Sequence, residues 1–145
     1  MWLNICKRMR HMRIISRIIL IVSATLLCGH LSAQSNGYDV FVPIVKYMEK
    51  GDVEALSAWF ADNLDVAVVS SSENTSRNQA KHILKDFFRN YTPSSLKIVH
   101  TAGQANMKYA LGNLDAGGEN FQVTIFVSRK KDTYRIQQLK IERRR

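Results

Sequence analysis

Ser76-Arg-Asn-Gln-Ala-Lys-His-Ile-Leu-Lys-Asp-Phe-Phe-Arg-Asn-Tyr91 is the stretch whose reading decides the fold. Ala80, Ile83, Leu84, Phe87, Phe88 and Tyr91 recur at the three-and-four spacing that lines up one side of an α-helix. Ser76 and Gln79 stand at the spacing of a capping box, in which the serine hydroxyl and the glutamine side chain satisfy each other's backbone N–H groups. Pro93 blocks continuation, because it has no N–H to donate. Each large apolar side chain contributes about 1.5–3 kcal/mol on burial. Ile83, Leu84, Phe87 and Phe88 are therefore expected at the centre of the core.

Downstream of this helix the period changes from helical to twofold. Leu96, Ile98, His100 and Ala102 alternate with Lys97, Val99 and Thr101; Met107, Tyr109 and Leu111 alternate with Lys108, Ala110 and Gly112. Phe121, Val123, Ile125 and Val127 form a third such set. Asp115-Ala-Gly-Gly-Glu119 and Ser128 to Asp132 read as turns. In the last strand the apolar parity slips by one between Ile136 and Leu139. One extra residue at Gln137-Gln138 restores it, which is a β-bulge and bends the sheet.

Upstream, Val40, Phe41, Ile44, Val45 and Met48 fall at helical spacing, with Pro43 tolerated in the first turn. Gly51 ends that helix and Asp52 is placed to cap the next. The second helix is expected to carry Val53, Leu56, Trp59 and Phe60 and to stop near Asn63. Asp65 to Ser70 reads as a short strand, and Ser71 to Thr75 as a polar loop.

A run of helices followed by a run of strands implies an α+β domain, with helices on one face of a mostly antiparallel sheet. The element order, the Gly51-Asp52 break, the Phe87-Phe88 helix and the bulged ending Tyr134-Arg-Ile-Gln-Gln-Leu-Lys-Ile141 together resemble the nuclear-transport-factor-2-like (NTF2-like, cystatin-like) superfamily. More narrowly, the chain resembles a family of small exported bacterial proteins of unknown function. The resemblance covers roughly residues 38–143. It implies three helices packed on a strongly curved sheet that closes into a cone around a pocket.

The first 33 residues carry Lys7, Arg8, Arg10, Arg13 and Arg17 and no acid, then the apolar run Ile18 to Cys28, then Leu31-Ser-Ala33. Basic n-region, apolar h-region and small-residue site are the parts of a secretory signal peptide. The apolar run is about half of the roughly twenty residues that a bilayer requires. Cleavage after Ala33 is preferred to a retained anchor, and the protein is expected in the bacterial periplasm or outside the cell. A lipoprotein site at Cys28 is disfavoured by Leu27, and a start at Met12 would give a more ordinary signal length. The organisation expected is signal peptide 1–33, lead-in 34–37 and one domain over 38–145, with no stable membrane span once the signal is gone.

Removing 1–33 removes five of 21 basic residues, so net +9 becomes +4. The remaining clusters, Arg129-Lys-Lys131 and Arg143-Arg-Arg145, read as solvated strand ends rather than a nucleic-acid surface. Both cysteines, Cys6 and Cys28, leave with the signal, so disulfide and thiolate chemistry are excluded from the domain.

Among residues that carry chemistry, His100 is the leading candidate, since it shares an expected face with Leu96 and Ile98 and would serve there as a base or ligand group. Tyr109 shares a face with Met107 and Leu111, and Tyr47 and Trp59 would line the mouth from the helices. For each the plainer reading, a packing residue with its polar end at the rim, is favoured. Asp65 and Glu119 read as a turn acid and a hairpin-end acid. His82 and Asp86 are a solvated i,i+4 pair, because a zinc site needs three or four protein ligands. No metal or cofactor is expected.

Two functions follow. The preferred one is a non-enzymatic binding domain that takes a small apolar ligand in the cone or a partner on the sheet. Val99, Ala110, Thr124 and Phe126 would make the sheet face of a homodimer. The alternative is a small lyase or isomerase using His100 with Tyr109 or Asp65, and it requires His100 to lie on the enclosed face.

Overall fold

The computed structural model describes residues 39–69 and 71–144, so the readings made for 1–33 and 34–37 lie outside the described residues. The elements run α1 (Phe41–Glu49), α2 (Val53–Ser57), β1 (Phe60–Val68), β2 (Ser71–Ser76), α3 (Arg77–Asn90), β3 (Pro93–Gln104), β4 (Met107–Ala116), β5 (Glu119–Lys130) and β6 (Thr133–Arg143). The strands form one sheet in the order β2-β1-β6-β5-β4-β3. β3 to β6 are the meander expected from the sequence; β1 joins the far side of β6 in the sheet's parallel pairing.

Local chemistry sets the helix ends. Asp39 Oδ1 accepts the Phe41 N–H at 3.0 Å, so α1 starts just before Pro43 as its first-turn position requires. Gly51 has φ +64°, and the N–H groups of Gly51 and Asp52 return to the carbonyls of Met48 and Tyr47. This is a Schellman ending, which glycine alone adopts without a Cβ penalty. Asp52 then caps α2 by accepting the Ala55 N–H at 3.0 Å. The capping box at Ser76 and Gln79 is present, with Thr75 also donating to the Gln79 Oε1 at 2.9 Å.

Two upstream expectations are corrected. Trp59 and Phe60 do not belong to α2, which ends at Ser57. Ser57 Oγ donates to the Glu54 carbonyl at 2.7 Å, Trp59 lies in the turn, and Phe60 enters the sheet opposite Ile136. Ser71 to Thr75 is not a loop but most of β2, paired antiparallel with β1. β2 is an edge strand, where a polar sequence reports solvent rather than irregular backbone.

The inner face of the sheet is continuous and apolar. Ala110, Leu114, Phe121, Val123, Ile125, Val127, Ile136, Leu139 and Ile141 are all fully buried. Leu84, Phe87 and Phe88 of α3 and Phe41, Ile44 and Met48 of α1 complete the core. Phe87 meets Phe121 edge-on at 5.2 Å, and Tyr91 meets the same ring at 5.1 Å, geometries that favour aromatic pairs beyond their area alone. The expected bulge in β6 is present: Phe126 pairs with Gln138 and Val127 with Ile136, leaving Gln137 unopposed.

β4 presents the opposite face from the one its bulky residues suggest. Ala110, Gly112, Leu114 and Ala116 point inward, while Tyr109 and Leu111 point outward. Size decides this. A Cβ on Gly112 would lie 3.0 Å from the Lys97 carbonyl oxygen and 3.1 Å from the Leu96 side chain. At position 112, where β3 folds across β4, only a small residue fits.

Three outcomes test this account. Gly112→Val is expected to destabilise by about 1–3 kcal/mol through overpacking, read as a lowered urea midpoint. Ser76→Ala is expected to cost about 1 kcal/mol by the same measurement, because the cap is lost. Glu54 accepts hydrogen bonds from Lys81 and Lys85, which hold its carboxyl at about 2. A lowered carboxylate pKa contributes stability above the ordinary value that fades as pH falls towards the folded one. The stability difference between wild type and Glu54→Gln is therefore expected to shrink between pH 4.5 and 2. It should also shrink in high salt, since the pair is exposed.

Candidate functional site

The sequence-derived candidates do not converge. In β3, Leu96 faces Leu114 and Ile98 faces Gly112, both inward; a register shift at Val99 follows, and His100 then faces Leu111. The bulge turns His100 to the outer face, where it is exposed, which corrects the expectation that it shares the face of Leu96 and Ile98. Tyr109 stands beside it on the same outer face, with ring centroids 5.7 Å apart. Tyr47 is half-buried against the core in the last turn of α1, and Trp59 is half-buried in the turn before β1. Trp59 contributes backbone rather than ring chemistry: its carbonyl accepts the Ile136 N–H at 2.7 Å.

The acids lie apart from these rings. Asp65 accepts from Asn74 Nδ2 at 2.8 Å on β1. Four strand steps separate β1 from β3 in the sheet order, roughly 19 Å at ordinary strand spacing, so Asp65 cannot assist His100. Glu119 pairs with Arg143 at 2.7 Å, and Asp86 pairs with Arg89 at 3.2 Å while His82 is exposed. Among the described residues no three or more His, Cys, Asp or Glu side chains gather as metal ligands. Among those residues no helix is long and apolar enough to cross a membrane.

Two surfaces do bring chemistry together. The first is the outer sheet face. Tyr109 pairs directly with Phe126, and Leu111 with Thr124 on the adjoining positions of β4 and β5. All four are half-buried, and Ala102 of β3 lies beside Tyr109. Of the residues expected there, Thr124 and Phe126 lie on this face; Ala110 is corrected to the core, and Val99 is the exposed bulge residue of the edge strand.

The second surface is a cleft of about 510 Å³, lined on its walls by Asp62, Asn63, Arg77, Lys130, Lys131 and Arg135. It exists because the β1–β6 ladder is interrupted. Phe60 pairs with Ile136, yet the next paired residue is Asp65, opposite Gln138. The chain from Ala61 to Leu64 thus stands away from β6 and opens a gap at Gln137. Arg77, the first residue of α3, reaches down to the Phe60 carbonyl at 2.9 Å and to Asp62 at 3.0 Å. Arg135 is held by the Ala58 carbonyl. The Arg129-Lys-Lys131 turn, read from sequence as a solvated strand end, forms one lip. Sequence reasoning missed this cleft because Arg77 is more than fifty residues from Lys130, Lys131 and Arg135, which share the β5–β6 hairpin. The register irregularity that joins them leaves no residue signature.

The comparisons with known proteins agree with this fold. The pattern of the family described as a domain of unknown function (DUF4783) matches residues 41–142. A DUF4783 family protein from Bacteroides uniformis superposes with a TM-score of 0.70 at 20% identity, over 74% of this chain and 99% of that one. Another from Bacteroides fragilis gives 0.68 at 24% identity, over 73% and 100%. An NTF2-like protein of unknown function from Cytophaga hutchinsonii gives 0.54 at 7% identity, over 72% and 86%, which shows the shared fold alone. No curated protein matches the chain. The inward aromatic helix, the bulged β6 and the six-stranded sheet are thus the frame of a known domain type, and the chain belongs to the DUF4783 family, on an NTF2-like fold.

Proposed function

We propose that this domain is an exported, non-catalytic binding module that pairs with a second copy of itself through the outer face of its sheet. The observation that carries the reading is the apolar group Tyr109, Leu111 and Phe126 on that face. The inner face is already covered by α1 and α3, and among the described residues no further layer packs against these outer side chains. A sheet with apolar residues on both faces gains by covering both. A twofold axis through the Tyr109–Phe126 pair would set the same residues against themselves, as an isologous dimer requires.

Export rests on the order of residues 1–33 and puts the working domain in the periplasm or outside the cell. In the cone reading of the NTF2-like fold, Leu84, Phe87 and Phe121 occupy the narrow interior, which favours a partner on the sheet over a small apolar ligand beneath it. The alternative lyase or isomerase is disfavoured by the outward position of His100 and its separation from Asp65.

Light scattering on residues 34–145 at tens of micromolar is expected to give twice the monomer mass. Phe126→Glu or Leu111→Lys should give monomers with an unchanged circular dichroism spectrum. A wild-type monomer at that concentration would remove the proposal.

A further inference from the structure

We propose that the cleft between β1 and the β5–β6 hairpin binds a small molecule through a phosphate or carboxylate group. The cleft is concave and about 510 Å³, inside the roughly 300–1,000 Å³ range of small-molecule sites. Arg77, Lys130, Lys131 and Arg135 face it with Asp62 as the one acid among its lining residues, an excess of three positive charges.

What distinguishes these cations is their gathering in one concavity with little compensating charge. Other basic residues are spread over the surface, some paired, as Lys81 and Lys85 are with Glu54, and some, such as Lys97 and Lys108, without an ion pair among the described residues. In the cleft, Lys130, Lys131 and Arg135 make no ion pair among the described residues. Arg77 pairs only with Asp62, whose side chain is 90% exposed and so offers weak compensation. The two guanidinium groups are positioned by backbone carbonyls of Phe60 and Ala58, which fix geometry without neutralising charge.

Arg77 itself remains open to a ligand: its side chain lines the cleft and is 40% exposed, with Nη2 shared between the Phe60 carbonyl and Asp62. Its Nε is closed to solvent, so a ligand would meet the outer end of the guanidinium. Guanidinium forks match the paired oxygens of phosphate and carboxylate, and Lys130 and Lys131 add charge at the lip. Concave walls of one sign also focus the field and raise local anion concentration. The concavity and its small size favour a small molecule over a nucleic acid, which would need a longer basic stripe.

Calorimetric titration of the purified full-length chain at low ionic strength tests this, with pyrophosphate and citrate as probes. Saturable one-site binding of either is expected, and the ratio of the two affinities distinguishes phosphate from carboxylate ligands. Lys130→Gln, Lys131→Asn and Arg77→Gln should each weaken it about tenfold, the scale of one charge-assisted contact. Lys97→Gln, the same charge change on the outer sheet face, should leave it unchanged. Lys130 and Lys131 are exposed turn residues, so their variants keep the test valid if Arg77→Gln fails to fold. No saturable heat with either probe, equal loss in Lys97→Gln, or binding of heparin or single-stranded DNA alone would overturn the proposal.

Discussion

Phe87 packs edge-on against Phe121, and the rest of the fold depends on what that contact joins. It ties the amphipathic helix that follows the capping box to the middle of the strand meander. An apolar sheet face is unstable in water, and a helix stripe is unstable alone; each exists because the other covers it. Tyr91 extends the cluster and receives a hydrogen bond on its hydroxyl from Arg143 at 2.9 Å, so the start of the meander and its last strand meet at one point. Tyr134 does the same at the opposite end, donating to the Ala105 carbonyl at 2.6 Å and tying the β3–β4 turn to β6.

Much of this was legible in the chain because it is local. The capping box, the Gly51 ending, the Asp52 cap and the slip of parity at Gln137 each depend on residues within a few positions of one another. What failed depended on partners far away. The helical spacing of Trp59 and Phe60 is real, but the pairing of Phe60 with Ile136 outweighs it. Tyr109 and Leu111 are bulkier and more apolar than Ala110 and Gly112, so the sequence points the wrong face of β4 inward, whereas the close approach of Leu96 and the Lys97 carbonyl leaves room for little more than glycine at 112. Apolar character says that a residue is worth burying; it does not say there is room.

The same distinction governs the candidate surfaces. Simple alternation gives His100 an inward face, and one bulge residue reverses every side chain after it. The basic cleft was invisible for a complementary reason. Arg77 and the hairpin residues Lys130, Lys131 and Arg135 carry no motif, and the parting of β1 from β6 opens the gap they share. Interruptions in a ladder are therefore the places in this fold where chemistry is created or redirected, at Val99 outward and at Ala61 to Leu64 into a gap.

The interruption at Val99 has one more effect. β3 lies at the margin of the sheet, twelve residues long, and along its outer edge the Leu96 N–H is taken up by Glu49 Oε1 of α1 at 3.0 Å. A straight margin of that length is a template on which strands of other molecules can be added without limit, the first step towards fibrils. The steps in register near Ser94 and at Val99, with Glu49 on the Leu96 N–H, interrupt the row of backbone groups along this margin. A bulge that displaces a histidine thus also makes this edge a poorer template for an added strand.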